Sequence, residues 1–239
     1  MRLPRALSAP LALAVLLAGV GCVASSITGS GHVVASSVPA SSFSRLEVGS
    51  AFRVTLTVGG DEQVTVRVDD NLTDHLDVGI SDGTLRIRLK PGTSVRNATL
   101  EADVTAPGVS SIEVSGAAKL HLSDELAGQR IKMTLSGAGE IDGPVRFDEA
   151  GADLSGASHL ELSGTAGKLD IRGSGASRLE AEQLQVGQLT IDLSGASQAT
   201  VSVSGTISAQ VSGASSVRYA GTPQFIRKDV SGGSSIAPL

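Results

Sequence analysis

Aromatic side chains make up only 2% of this chain, and tryptophan is absent. Large rings supply much of the buried area of a thick globular core, so their scarcity implies a thin core of small aliphatic residues. It also removes the platforms on which sugar rings usually stack. Cysteine occurs once, at Cys22, which rules out a disulfide framework. Histidine occurs four times, at His32, His75, His121 and His159, in no metal-ligand spacing. Basic residues are outnumbered 19 to 24 and form no stripe, with a formal net charge of −5. Nucleic acid is therefore not an expected partner. The apolar run near the start, Leu11 to Gly21, has 11 residues, too few for a helix to cross a bilayer, which takes about 20.

What is present points to export. Hydrophobic residues reach 41%, too many for a disordered chain. Arg2 and Arg5 followed by LALAVLLAGVG make residues 1–21 a signal peptide. Gly-Val-Gly ahead of Cys22 resembles the bacterial lipoprotein box, which implies lipidation of Cys22 and a membrane-anchored protein of the cell envelope. Gly19 departs from the Leu usual in that box. The alternative is secretion after cleavage near Ala24. Residues 22–42 are rich in Ser, Gly and Ala with little charge, and are expected to be a lipid-anchored tether. Folded structure is then expected from Phe43 onward, as one domain spanning residues 43–239.

Within that domain a period stands out. Ser-Gly pairs occur at Ser115-Gly116, Ser136-Gly137, Ser155-Gly156, Ser174-Gly175, Ser194-Gly195, Ser212-Gly213 and Ser231-Gly232, spaced by 18 to 21 residues. Alternation of period two flanks each pair. One residue before the serine stand Val114, Leu135, Leu154, Gly173, Leu193, Val211 and Val230; three before it the column is again apolar until Lys228 breaks the last copy. Five after it stand Leu120, Ile141, Leu160, Leu179, Ala199, Val217 and Ile236. Each repeat therefore reads as two short strands with one face buried.

So short a unit cannot fold alone. Its few large apolar side chains contribute about 1.5–3 kcal/mol each, against about 1–2 kcal/mol for ordering each backbone residue. Repeats must stack, and stacked equivalent strands make an all-β, parallel β-helix or β-solenoid, right-handed by default, with rungs of roughly 19 residues. In such a coil each Ser-Gly is a structural corner whose glycine needs positive φ. An upstream copy follows: RLEVGSAFRVTL (45–56) aligns with SIEVSGAAKLHL (111–122), placing Gly49 on Ser115 and Val54 on Leu120. Residues 57–111 between the copies are expected to be an irregular β insertion serving as a cap, with a hairpin turn at Ser81-Asp82-Gly83-Thr84 and one helical turn in NLTDHL (71–76). Residues 112–236 are the regular repeats.

Taken in order, GSGHVV, FSRLEVGSAFRVTLTVGGDEQVTVRVDDNL, SDGTLRIRL, VTAPGVSSIEVSGAAKL and the Ser-Gly ladder ending at DVSGGSS resemble the bacterial head GIN domain family, described as an auto-transporter adhesin head. The similarity covers about residues 29–236. It implies an exported or lipid-anchored β-solenoid with an adhesin-like role and no cofactor.

Individual residues support the same expectation. The corner serines lack the Gly-x-Ser-x-Gly elbow and any histidine at a repeated offset, so no catalytic residue is assigned to them. Asp153 and Asp192 share a column two rungs apart, roughly 10 Å at rung spacing, which overlaps the separation used by inverting glycosidases. Arg172 stands between them, and rungs this short leave no room for loop walls. Lys119, Glu140, His159, Arg178, Gln198, Ser216 and Ser235, four after the corners, form a mixed column that is either a solvated or a recognition face. No metal site or catalytic residue is expected. The expected role is a non-enzymatic envelope module, held to a membrane by its lipid and meeting an envelope protein or glycan. The alternatives are a carbohydrate-active solenoid enzyme and a purely structural or stress-related envelope component.

Overall fold

The computed structural model describes residues 26–39 and 41–239. The expected signal peptide (residues 1–21) and Cys22 lie outside the described residues.

The repeats coil as β10 (Ser111–Val114), β11 (Lys119–Leu122), β12 (Leu126–Leu135), β13 (Glu140–Leu154), β14 (His159–Gly173), β15 (Arg178–Leu193), β16 (Gln198–Val211), β17 (Ser216–Ala220), β18 (Gln224–Val230) and β19 (Ser235–Pro238), numbered after nine upstream strands. Each ladders in parallel with the strand one period away, so Glu140 pairs His159, which pairs Arg178, which pairs Gln198. The chain is a β-solenoid.

The repeat departs from the expected pair of short strands. Strand structure runs through 15 residues of β13 and 16 of β15 without interruption. β13 bends at Gly143 (φ 136°), between Ile141 and Val145, and again between Phe147 and Ala150, where burial changes phase. With the Ser-Gly corner these two bends give each coil three faces. The middle face escaped the pattern because it is short, and its apolar residues (Val145 and Phe147, Ala166, Leu184 and Val186, Val203) recur at no fixed offset from the corner serine.

The corners are built by close backbone stacking. Gly137, Gly156, Gly175, Gly195 and Gly213 have φ of 69° to 77°. A Cβ on Gly195 would stand 2.5 Å from the Gly175 carbonyl oxygen. Ala157, Ala176, Ala196 and Ala214 each donate their N–H to the corner glycine carbonyl one rung below, at 2.7 Å. Behind the corner runs a column of buried serines, Ser158, Ser177, Ser197 and Ser215. Gly173, the odd member of its apolar column, belongs with this packing: a Cβ there would lie 2.6 Å from Leu193 Cδ2 and 3.1 Å from Ser177 Oγ.

The upstream copy stacks in the expected register. In β3 (Arg45–Val48) Leu46 pairs Ile112, and in β4 (Arg53–Val58) Val54 pairs Leu120. Ser50, with φ of 63°, occupies the glycine place of the corner, and its hydroxyl accepts from Leu89 N at 3.1 Å.

The insertion is more regular than expected. It contains β5 (Gln63–Asp69), a 3-10 turn (Asp70–His75), β6 (Leu76–Ser81), β7 (Thr84–Leu89), β8 (Val95–Arg96) and β9 (Leu100–Ala106). β7 lies parallel beneath β3 and β9 parallel beneath β4, so two separate segments supply one further rung. Asp82 and Gly83, both at positive φ, make the tight turn of the β6–β7 hairpin. β5 and β6 then pair antiparallel with β9 and β7 and end the parallel stacking.

The tether needs correcting. Ile27–Thr28 is β1, paired with β8, and Val33–Val38 is β2, paired antiparallel with β5 along its whole length. Folded structure thus begins well before Phe43. Composition hid this because β2 is solvent-exposed at nearly every position, and its reason to be a strand is the open edge of β5. A buried carboxylate secures the segment: Asp69, 1% exposed, accepts hydrogen bonds from Gly31 N at 2.8 Å and Thr99 N at 2.7 Å. Asn71 receives Ser30 N at 3.1 Å and donates to the Thr28 carbonyl at 2.9 Å.

Candidate functional surface

Parallel stacking turns each outward position into a column, so surface chemistry is organised by face. Charges of opposite sign on adjacent rungs tie the coil together. Asp153 lies 3.2 Å from Lys132 below and 3.5 Å from Arg172 above. Glu149 pairs with Arg130 at 2.7 Å and Lys168 at 3.7 Å; the Arg130 guanidinium, then Lys168, holds its carboxyl below the usual carboxylate range. At the base, the hydrogen bond from Ser30 Oγ, 2.5 Å long, lowers the Asp70 carboxyl likewise. Exposed pairs of this kind are worth little singly; repeated along a column, they favour one stacking register over its neighbours.

The face leading into the corners carries Asp153, Arg172 and Asp192 in register. They line a shallow groove of about 270 Å³ together with Thr134 and the corner serines Ser155 and Ser174. Arg172 thus separates the two carboxylates that an inverting hydrolase would need to share a water. The hydroxyls of Ser155, Ser174, Ser194 and Ser212 reach the carbonyls of Leu135, Leu154, Gly173 and Leu193 at 3.2 to 3.4 Å. These hydroxyls are spent on backbone rather than aimed at a base.

The face leaving the corners is the more acidic. Asp142, Glu161 and Glu180 stand directly above one another and line a groove of about 250 Å³ with Ser163, Glu182 and Gln183. His159, two residues before Glu161 on the same strand, brings a ring nitrogen within 4.8 Å of a carboxylate oxygen of each of Glu161 and Glu180. Comparing histidines only with one another misses this grouping; reading columns across residue types would find it. Two neighbours already engage parts of the ladder: His121 lies 2.5 Å from Asp142, and Arg178 lies 3.6 Å from Glu180. Lys119 also pairs with Glu140 on this face.

No curated protein matches the chain in sequence. Among solved structures, a putative adhesin from Bacteroides fragilis superposes with a TM-score of 0.83 at 21% identity, covering 89% of this chain and 100% of its own. A putative lipid binding protein from Parabacteroides distasonis gives 0.75 at 18% identity, covering 90% and 100%. A putative adhesin from Parabacteroides merdae gives 0.66 at 17%, covering 89% and 98%. At these identities the likeness is one of fold. The sequence match goes further: it extends over residues 42–223, which include the Ser-Gly pairs from Ser115 to Ser212 but not Ser231, and on that span the chain belongs to the family described as putative auto-transporter adhesin, head GIN domain.

Proposed function

We propose that the protein is a non-enzymatic head displayed on the cell envelope, where its flat polar faces meet a surface partner and the lipid on Cys22 holds it to a membrane. The observation that carries this reading is the construction of the faces. Stacked parallel strands give rigid planes on which charged and hydroxyl side chains repeat at about 4.8 Å, a lattice suited to an extended repeating partner such as a glycan or another β-surface. Membership of the adhesin-head family and the adhesin-like fold of its structural relatives favour the same role. Strand β1 begins at Ile27, only a few residues after Cys22, so a lipid there would keep the base of the rod close to the membrane and direct the coils outward.

The test has two arms. Cys22→Ala should move the protein from the membrane to the soluble fraction of the envelope and abolish uptake of labelled lipid. The purified protein on beads should be retained on glycan-coated or cell surfaces, and the double variant Asp153→Lys, Asp192→Lys or Glu161→Lys, Glu180→Lys should weaken retention according to which face binds. New reducing ends released from a polysaccharide, lost in Asp153→Asn or Asp192→Asn, would instead establish an enzyme.

A further inference from the structure

Along two outward columns the sign of the charge alternates from rung to rung. Arg130, Glu149 and Lys168 make one of them, and Asp153, Arg172 and Asp192 the other. A third column breaks that rule. Asp142, Glu161 and Glu180 stack as three carboxylates in succession, with His121 below them and Thr200 above. His121 engages Asp142 at the lower end, and Arg178 approaches Glu180 at 3.6 Å. Among the described residues no ion pair reaches Glu161 or His159. The middle of the column is left with negative charge that no basic side chain offsets.

Strand geometry gathers a mixed donor set at that place. His159 and Glu161 are two apart in β14, so both point outward with Leu160 buried between them. The register sets Glu180 of β15 directly beside Glu161. A ring nitrogen of the histidine and one carboxylate oxygen from each glutamate all lie within 4.8 Å of one another. Donors around a tetrahedral zinc ion stand about 3.4 Å apart, given metal–ligand bonds of about 2.0–2.2 Å. Small side-chain rotations at the groove surface close the difference, while the paired strands hold the backbone in place. Asp142, Glu182 and Gln183 line the same groove and add oxygen donors around it. An imidazole beside carboxylates suits zinc and its transition-metal neighbours, whereas magnesium and calcium favour oxygen ligands alone.

We propose that His159, Glu161 and Glu180 bind a zinc ion, which ties β14 to β15 and neutralises the carboxylate column. Three protein ligands leave a fourth position open to the groove, where water completes the coordination. Arg178 gives up its contact with Glu180 as the ion takes its place; that contact is long and exposed, and pairs of this kind are worth little. The ion belongs to this chain alone, whichever partner the face meets.

The experiment titrates zinc chloride calorimetrically into chelator-treated protein in about 0.15 M salt, which screens diffuse attraction. All samples carry Cys22→Ala, so that the lone thiol takes no part. A single equivalent should bind per chain with a micromolar dissociation constant. His159→Ala and Glu180→Gln should each weaken binding at least about tenfold, the least that even an outer partner of a metal ligand contributes. His75→Ala, on the 3-10 turn at the base, should leave it unchanged. Zinc should also raise the melting temperature of the parent protein but not that of His159→Ala, and in nitrogen-15 spectra it should shift the His159 ring most among the four histidines. Should Glu180→Gln fail to fold, Glu161→Gln carries the same expectation. The proposal is overturned by the lack of saturable binding, or by binding that survives these substitutions. Displacement of zinc by an equal concentration of magnesium also overturns it, since that marks a screening cloud and not a site.

Discussion

Gly195 sits where three demands meet: a left-handed backbone at φ 75°, a carbonyl 2.5 Å from where its Cβ would be, and identical neighbours above and below. Gly195→Val should therefore cost about 3 kcal/mol or more, the upper range for a strained backbone position, because the stacked glycines must also give way. Denaturant unfolding measures this, and a midpoint close to wild type would remove Gly195 from the corner. The serines divide into two classes. Ser155→Ala, Ser194→Ala and Ser212→Ala each remove a long hydrogen bond to a carbonyl that already accepts a backbone N–H. Their losses should be similar and lie near the low end of about 0.5–1.5 kcal/mol. Ser197→Ala should cost more, about 1–3 kcal/mol, since Ser197 Oγ accepts from Ser177 Oγ at 3.0 Å inside the corner, and its loss strands a buried donor. One corner serine with a disproportionate effect on activity and none on stability would mark a nucleophile.

At the scale of elements, stacking makes neighbours of residues a full period apart. Asp142, Glu161 and Glu180 form a run of like charges along one column, and like charges directly opposite one another destabilise a sheet. Glu161→Gln should raise the melting temperature by about 1–2 °C in low salt, with the gain shrinking as salt screens the column. A fall in melting temperature, independent of salt, would mean the ladder is held together by something else. The same stacking explains what was legible in the sequence. The Ser-Gly corner could be read because one backbone conformation demands one residue type at every turn. The second bend uses glycine at positive φ only at Gly143, Gly164 and Gly221, so it leaves no uniform mark. The third relies on Gly167, Gly187 and Gly205, whose backbones approach the rung below but which stand at no fixed offset from the corner serine. β2 was hidden for a different reason: its sequence is that of a linker, and only β5 and Asp69 make it a strand. The His159, Glu161 and Glu180 grouping spans two rungs and two residue types, so it emerges only when the register is known.

For the whole molecule, the corner column acts as a ruler. Each coil repeats the same backbone path, so the distance from the base to the far end is a count of coils, and a whole coil can in principle be removed as a unit. Joining Ser136 directly to Gly156, with residues 137–155 deleted, would set Leu135 beneath Gly173 where Leu154 now lies, one leucine replacing another in the same register. The shortened chain should fold, unfold at lower denaturant, and measure about 4.8 Å less along the rod axis by scattering or crystallography. The length of the rod would then be adjustable in quanta of one rung: a lineage could lengthen or shorten it by duplicating or losing a single period, leaving its base and the remaining coils unchanged.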